Sequence, residues 1–376
     1  MASLAPLSPR HPAGLIPSGE LWLPRPSLTA CLRAAIARNT VGRTLSDAQR
    51  INRFPASPLC SLSWWFEGRS EALVAERPDT MPTQHSPREA YPGRWVLAGP
   101  QTRPASSYCA GPTHAMMVMF MPDALHQLTG VDPGALTDRI VDAQSLLPPD
   151  WLVLCKAVQN LPDNAARLQH LEDFLEPRWQ ACRPAQSLPT QRYGDWAAHL
   201  AERAALSAPG RSLRQLERRI KRWAGLPLRE LRGFGKAEQA FFDTIATEAA
   251  QGSVKWADVA AGAGFSDQSH LCRVTRRITG YAPQALYDGI YGGRSFLGLS
   301  HLGVALPRSW PGMLARRPYH PRHACQVDEF PSAGDRAVSH RLPGPLVWLS
   351  AQGRAAYLLR QPPEPCRHGA DLGGAA

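Results

Sequence analysis

No stretch of the chain runs for about 18 uninterrupted apolar residues, so the sequence offers no membrane-spanning helix. The opening "MASLAPLSPRHPAGLIPSGE" is broken by prolines where a secretory leader needs an unbroken apolar segment, and a soluble, cytoplasmic protein is expected. No Cys-x-x-Cys pair occurs: the eight cysteines, at 31, 60, 109, 155, 182, 272, 325 and 366, are scattered, which argues against a structural zinc site and for reduced, mostly buried thiols. There is no Gly-rich phosphate loop, paired-carboxylate site or nucleophile elbow, so the expectation is no catalytic residue, no cofactor and no metal. Acid is also in short supply. Against 42 Lys and Arg stand 31 Asp and Glu, for a net charge of +11 and a pI near 9.6, a balance that favours a polyanionic partner, either nucleic acid or an anionic membrane surface.

What is there divides the 376 residues into regions, enough chain for two or three domains at roughly 100–200 residues each. Residues 1–20 read as a loose arm rich in Pro and Gly. From there to about residue 122 the runs "PLCSLSWWFEG", "RWVLAGPQT" and "HAMMVMFMP" predict short strands. In the last of these His114, Met116, Val118 and Phe120 share one face and Met117, Met119 and Met121 the other, as in a strand buried on both sides. The exception is "SLTACLRAAIARNT", where Leu28, Leu32, Ala35 and Ile36 are spaced as on a helix. After Pro122 the character turns helical: "PDALHQLTG" opens on Pro and closes on Gly, and "NAARLQHLEDFLEPRWQAC" lines up Leu168, Leu171, Leu175 and Trp179. These features define an α+β, β-rich domain over 21–182, a linker over 183–192, an all-α domain over 193–291 and a tail over 292–376 whose composition predicts disorder.

The all-α region repeats itself. "SLRQLERRIKRWAGLP" from residue 212 matches "GAGFSDQSHLCRVTRRITGYAP" from residue 262 when Leu216 is aligned with Leu271. At 100° per residue Leu213, Leu216, Ile220 and Trp223 share one face in the first helix, and Leu271, Val274, Thr275 and Ile278 do so in the second. Opposite them lie Arg214, Arg218 and Lys221, and Ser269, Arg273 and Arg276. The two helices, about 212–225 and 266–280, open on Ser212 and Ser266 as caps and close on Gly225 and Gly280, with Pro227 and Pro283 beyond. Each follows a short apolar helix and a tight turn, which is the helix-turn-helix plan in two copies. Between the copies, about 22 helical residues at ~1.5 Å each span ~33 Å, against ~34 Å for a turn of B-DNA, so the two helices are spaced for successive major grooves.

The doubled motif, with "AAGAGFSDQSHLCRVTRRITGYAP" in its second copy, resembles the AraC/XylS family of bacterial transcription regulators over residues 193–291. The resemblance implies a sequence-specific DNA-binding transcription regulator with no enzymatic activity. It implies base contacts from Arg214, Glu217 and Arg218 in the first helix and from Gln268, Ser269, His270, Cys272 and Arg273 in the second. One position departs from the family pattern: Thr275 stands where an apolar residue is usual. The N-terminal half resembles, more weakly, the cupin-like sensor domain carried by many such regulators. That likeness implies a small-molecule effector and leaves room for a homodimer and for contact with RNA polymerase. A sensor would draw on Trp64, Trp65, Phe66 and Trp95 as an aromatic surface for an apolar pocket or dimer face.

Plainer readings compete. An arginine on a helix surface is ordinarily solvated, but equivalent positions in two capped repeats turn Arg218 and Arg273 into base or phosphate contacts with double-stranded DNA, while Lys221, Arg222, Arg229 and Arg232 suit phosphates or solvent. Glu217 either accepts from cytosine or pairs with a neighbouring arginine. His114 among methionines is read as core packing rather than a soft-metal site, and His320, His323 and Cys325 lack a fourth ligand. An alkyl-accepting repair function would need Cys366 in a Pro-Cys-His-Arg context, and "PCRH" exchanges the last two residues. A basic membrane-surface protein would need one broad apolar helix face, which the paired turns do not favour; no membrane partner is expected.

Overall fold

The computed structural model describes residues 19–77, 80–184, 192–207, 212–251 and 253–291, together with the pairs 348–349 and 355–356. The strands are β1 (Gly19–Trp22), β2 (Leu32–Asn39), β3 (Ile51–Phe54), β4 (Cys60–Glu67), β5 (Glu71–Leu73), β6 (Arg88–Ala90), β7 (Trp95–Ala98), β8 (Ala105–Tyr108), β9 (His114–Phe120) and β10 (Ile140–Asp142). The helices are α1 (Asp47–Arg50), α2 (Pro122–Thr129), α3 (Pro149–Asn160), α4 (Asn164–Cys182), α5 (Tyr193–Leu206), α6 (Leu213–Ala224), α7 (Leu228–Gln251), α8 (Trp256–Gly262), α9 (Gln268–Thr279) and α10 (Pro283–Tyr291). The N-terminal part is therefore β-rich with two antiparallel sheets, and the part from α5 onward is helical.

The larger sheet has the order β1-β2-β9-β4-β7-β10, the smaller β3-β8-β5-β6, and every pairing is antiparallel. Register lays one row of side chains, Ala35, Val118, Leu62 and Leu97, across the larger sheet, all buried in the core shared with Leu154, Leu171 and Trp179 of α3 and α4. The row on the opposite face is Ile36, Met117, Ser63 and Val96, and it lines a cavity. The expected two-sided strand at 114–120 is thus present, with one face in the core and the other on the cavity; Met121 belongs to the N-terminal cap of α2 instead.

β2 corrects the helix expected from "SLTACLRAAIARNT". Lying between β1 and β9 and buried from Leu32 to Arg38, it needs no polar alternation, so apolar residues fall at every spacing, the helical one included. β1 begins at Gly19, inside the arm expected over 1–20, and Glu20 accepts a hydrogen bond from Asn164 Nδ2 at 2.9 Å. The rest of that arm, residues 185–191 of the linker, and His320, His323, Cys325 and Cys366 lie outside the described residues.

The helical part does not stand apart from the sheets. One core cluster runs from Leu21 through Trp151 and Trp179 to Trp196, Leu200, Ile220, Leu231 and Ile278. Asp123 in α2 accepts from Trp196 Nε1 at 3.0 Å and pairs with Arg203 at 2.6 Å, both on α5. A smaller cluster of Ala240, Val259, Ala260, Ala263, Phe265 and Leu271 holds α7, α8 and α9 together. Contacts divide the chain at residue 316; in the second unit, 317–376, the described part is Trp348–Leu349 (β11) paired antiparallel with Ala355–Ala356 (β12).

Candidate nucleic-acid interface and effector cavity

α5 and α6 form one helix-turn-helix, α8 and α9 the other. α6 opens on Ser212, whose hydroxyl accepts from Gln215 N at 3.3 Å, and closes on Gly225 in the left-handed conformation at φ 75°. Arg214, Arg218 and Lys221 are exposed, while Ile220 and Ala224 are buried and Leu216 and Trp223 half-buried. Leu213, expected on the buried face, is 81% exposed: burial begins only at Leu216, leaving the first turn in solvent. Glu217 is half-buried, and its Oε2 accepts from Leu228 N at 3.3 Å, satisfying one of the N–H groups that the start of α7 leaves open.

α9 opens on Asp267 rather than on the expected Ser266. The Asp267 carboxylate accepts from His270 N at 2.7 Å, and the Ser266 hydroxyl donates to the other carboxylate oxygen at 3.0 Å. Those two hydrogen bonds hold the Asp267 carboxyl below the usual aspartate range. A charged carboxylate three residues ahead of the amide outcompetes the neighbouring hydroxyl as cap, which the sequence pattern could not rank. Gln268, Ser269, Arg273 and Arg276 are exposed, and Cys272 is half-buried. His270 is half-buried with its ring edge-on to Phe265 at 5.2 Å and its Nδ1 3.1 Å from the Ser266 hydroxyl. Leu271 and Ile278 are buried as expected, and α9 ends on Gly280 at φ 82°. α7, 24 residues long, spans ~36 Å between the two units. Of the ten candidates, the cations Arg214, Arg218, Lys221, Arg273 and Arg276 face solvent together with Gln268 and Ser269, Cys272 is half-buried, and Glu217 and His270 are engaged within the fold.

A cavity of about 290 Å³ lies between the two sheets and reaches the inner faces of α7 and α9. Met117, Met119, Trp65 and Phe54 line its apolar part, and Thr275 and Ile278 of α9 form part of its wall. Thr275 thus sits where α9 meets the cavity. Arg38 also lines it, 6% exposed, and is held by Asn52 Oδ1 and, at 2.5 Å, by the Gln49 carbonyl, while its Nε has no partner. Burial lowers the Arg38 pKa, and no described carboxylate pairs with it. Sequence reading passed over Arg38; its signal was a charged residue inside an otherwise apolar, alanine-rich strand. Of the four aromatics expected to form the sensor surface, only Trp65 lines the cavity. Trp64 is fully buried and donates to the Cys155 carbonyl at 3.2 Å, Trp95 is buried and donates to Gln159, and Phe66 lies under the Arg167 guanidinium.

His114 Nε2 is 3.0 Å from Asn164 Oδ1 with its ring against Phe66, and burial lowers its pKa. Among the described residues no three of His, Cys, Asp and Glu come together as a metal site. Cys31, Cys60, Cys109 and Cys155 are buried free thiols, and burial pushes Cys155 up to about 12. Among the described residues no helix is long and apolar enough to cross a membrane.

Two capped helix-turn-helix units with basic outer faces, joined to a β-rich domain, define a DNA-binding transcriptional regulator. Residues 248–286, from the end of α7 into α10, match the family model of bacterial regulatory helix-turn-helix proteins, AraC family. No curated protein matches the chain. Solved structures of ToxT from Vibrio cholerae are similar at low level. An apo form shares 11% identity, covers 63% of this chain and 90% of its own, and has a TM-score of 0.30. A form bound to an unsaturated fatty acid shares 11% identity, covers 64% and 94%, and has a TM-score of 0.29.

Proposed function

We propose that the chain is a sequence-specific regulator in which α6 and α9 enter successive major grooves on one side of the duplex. The observation that carries this reading is the recurrence of exposed arginines, Arg218 and Arg273, at equivalent outward positions of two helices with matching Gly caps. An arginine at such a position grips guanine O6 and N7 in a bidentate pair, for ~1–3 kcal/mol of discrimination. Arg214, Gln268 and Ser269 complete the reading faces, and Lys221 and Arg276 meet phosphates. Cys272 lies at the edge of this surface. Glu217 and His270 act through the helices they stabilise. We assign residues 21–182 to a sensor and dimerisation domain, 183–192 to a linker, 193–291 to the DNA-binding domain, and the site of action to the cytoplasm.

The cavity is the effector site in this reading. An apolar space of this size with one buried, uncompensated guanidinium suits a small molecule with an apolar body and a single negative or strongly accepting group. Selection of DNA fragments from the source genome, run with and without a small-molecule extract of the same cells, tests both parts. The expected result is enrichment of a two-part site with a retained set that changes when extract is added. Retention that merely follows fragment length and salt would remove the claim of specificity, and a set indifferent to extract would remove the effector.

A further inference from the structure

The C-terminal ends of both recognition helices rest on the β-rich domain, and the two resting points are joined. At α9, the Ile278 carbonyl in the last turn accepts from Ala56 N at 2.7 Å, and Arg53 Nε donates to the Tyr281 hydroxyl at 2.8 Å. At α6, the Gly225 carbonyl accepts from Thr137 Oγ1 at 3.1 Å, and a Cβ added to Gly225 would stand 2.8 Å from the Pro133 carbonyl oxygen. Between Ala56 and Thr137 runs an unbroken backbone connection. Ser57 and Gln101 exchange both of their hydrogen bonds, at 3.0 and 2.8 Å. Asp138 N then donates to the Pro100 carbonyl at 2.8 Å, and Gly99 N to the Arg139 carbonyl at 3.1 Å. Asp138, at a positive φ of 57°, is pinned by accepting from both the amide and the hydroxyl of Thr102 at 2.6 Å. The approach of Gly99 to Leu136 leaves no room for a side chain: an added Cβ would fall 2.2 Å from the Leu136 carbonyl oxygen.

We propose that this run of three loops, 55–57, 99–102 and 133–139, is a strut that fixes the distance and angle between the two recognition helices and thereby sets the half-site spacing the protein accepts. The strut rests on the reading of α6 and α9 as the DNA-contacting helices. α7 begins just after Gly225 at the end of α6, and its Leu231 and Phe234 share a core with Ile278 at the end of α9; the strut is a second hold on the same two ends, made through the β-rich domain. Such a brace acts on geometry alone. Ala56, Thr137 and Asp138 are positioning residues and do not touch DNA. Ser57, Gly99 and Gln101 also line the cavity, so the same loops that brace the helices form part of its wall.

The test compares wild type with Thr137→Val, which removes the hydroxyl shared between the Gly225 and Pro133 carbonyls, and with Asp138→Ala, which releases Thr102. Full-length proteins are titrated against duplexes carrying both half-sites at separations stepped by single base pairs, and against each half-site alone. Wild type is expected to lose at least about tenfold in affinity when the separation changes by one or two base pairs, since one helix then forfeits its base contacts. The variants are expected to hold the same base preference at each single half-site while losing less than half as much, on a logarithmic scale, across the same steps. A spacing profile of unchanged width in both variants overturns the strut. Loss of base preference at the single half-sites also overturns it, since the residues would then act on recognition itself. Absence of base preference in wild type would instead remove the underlying assignment of α6 and α9. Ala56→Pro, which deletes the N–H given to Ile278, serves as a third variant if either of the others melts early.

Discussion

At the scale of single residues, Asp267 decides how α9 begins. Its carboxylate takes the His270 amide and is kept ionised by that bond and by the Ser266 hydroxyl, with its pKa depressed in the folded chain. A depressed carboxylate contributes stability that is present above the unfolded aspartate value and lost as the pH falls through the folded one. Asp267→Ala is therefore expected to melt below wild type at neutral pH, with the gap closing as the solution is taken into acid below the ordinary aspartate range. A gap that persists unchanged in acid, followed by thermal melts at stepped pH, would mean that the carboxylate's charge has no part in the cap. The sequence pointed to Ser266 as the cap where Asp267 provides it, because both are good cap residues and the pattern alone does not rank them. The outward arginines were legible for the opposite reason, since phase around a helix is fixed by counting.

At the scale of elements, the helices of the DNA-binding part could be read closely and β2 could not. α6 and α9 carry their boundaries in local chemistry, a cap at one end and a left-handed glycine at the other. β2 owes its form to neighbours on both sides, which no local pattern records. The same strand carries Arg33, whose guanidinium meets Glu238 of α7 at 2.7 Å with both side chains buried; Glu238 also accepts from Tyr193 N at 2.7 Å. Burial raises the Glu238 pKa against the pull of Arg33. This pair ties the spacer helix to the centre of the larger sheet. Truncating one partner strands the other's charge in a low dielectric, so Glu238→Ala should cost about 3–5 kcal/mol in urea unfolding, whereas Arg33→Met combined with Glu238→Leu should cost clearly less. Equal losses in the single and double variants would show that the pair's charges are not what matters at this contact.

At the scale of the whole molecule, the β-rich and helical parts share a core, so that the linker expected between them is not their main connection. Trp196, Leu200 and Ile220 of the first helix-turn-helix belong to the same cluster as Leu97 and Val118 of the sheet, whereas the second packs mostly in a smaller cluster with α7 and joins the larger one through Ile278. Apolar periodicity announced each part but could not show that their buried faces meet, because a buried face looks the same whichever partner covers it. The arrangement gives α6 and α9 unequal support and a common frame. The account rests above all on each helix reading its own half-site within that frame. The most direct measurement is the base-preference profile, over all positions of the selected site, of wild type, Arg218→Ala and Arg273→Ala at one salt concentration. Each variant is expected to lose ~1–3 kcal/mol at the specific site and to relax preference in one half-site only, the two halves lying about one helical turn apart, while non-specific affinity changes much less. Profiles unaltered in both variants, or relaxed at the same positions in both, would contradict it.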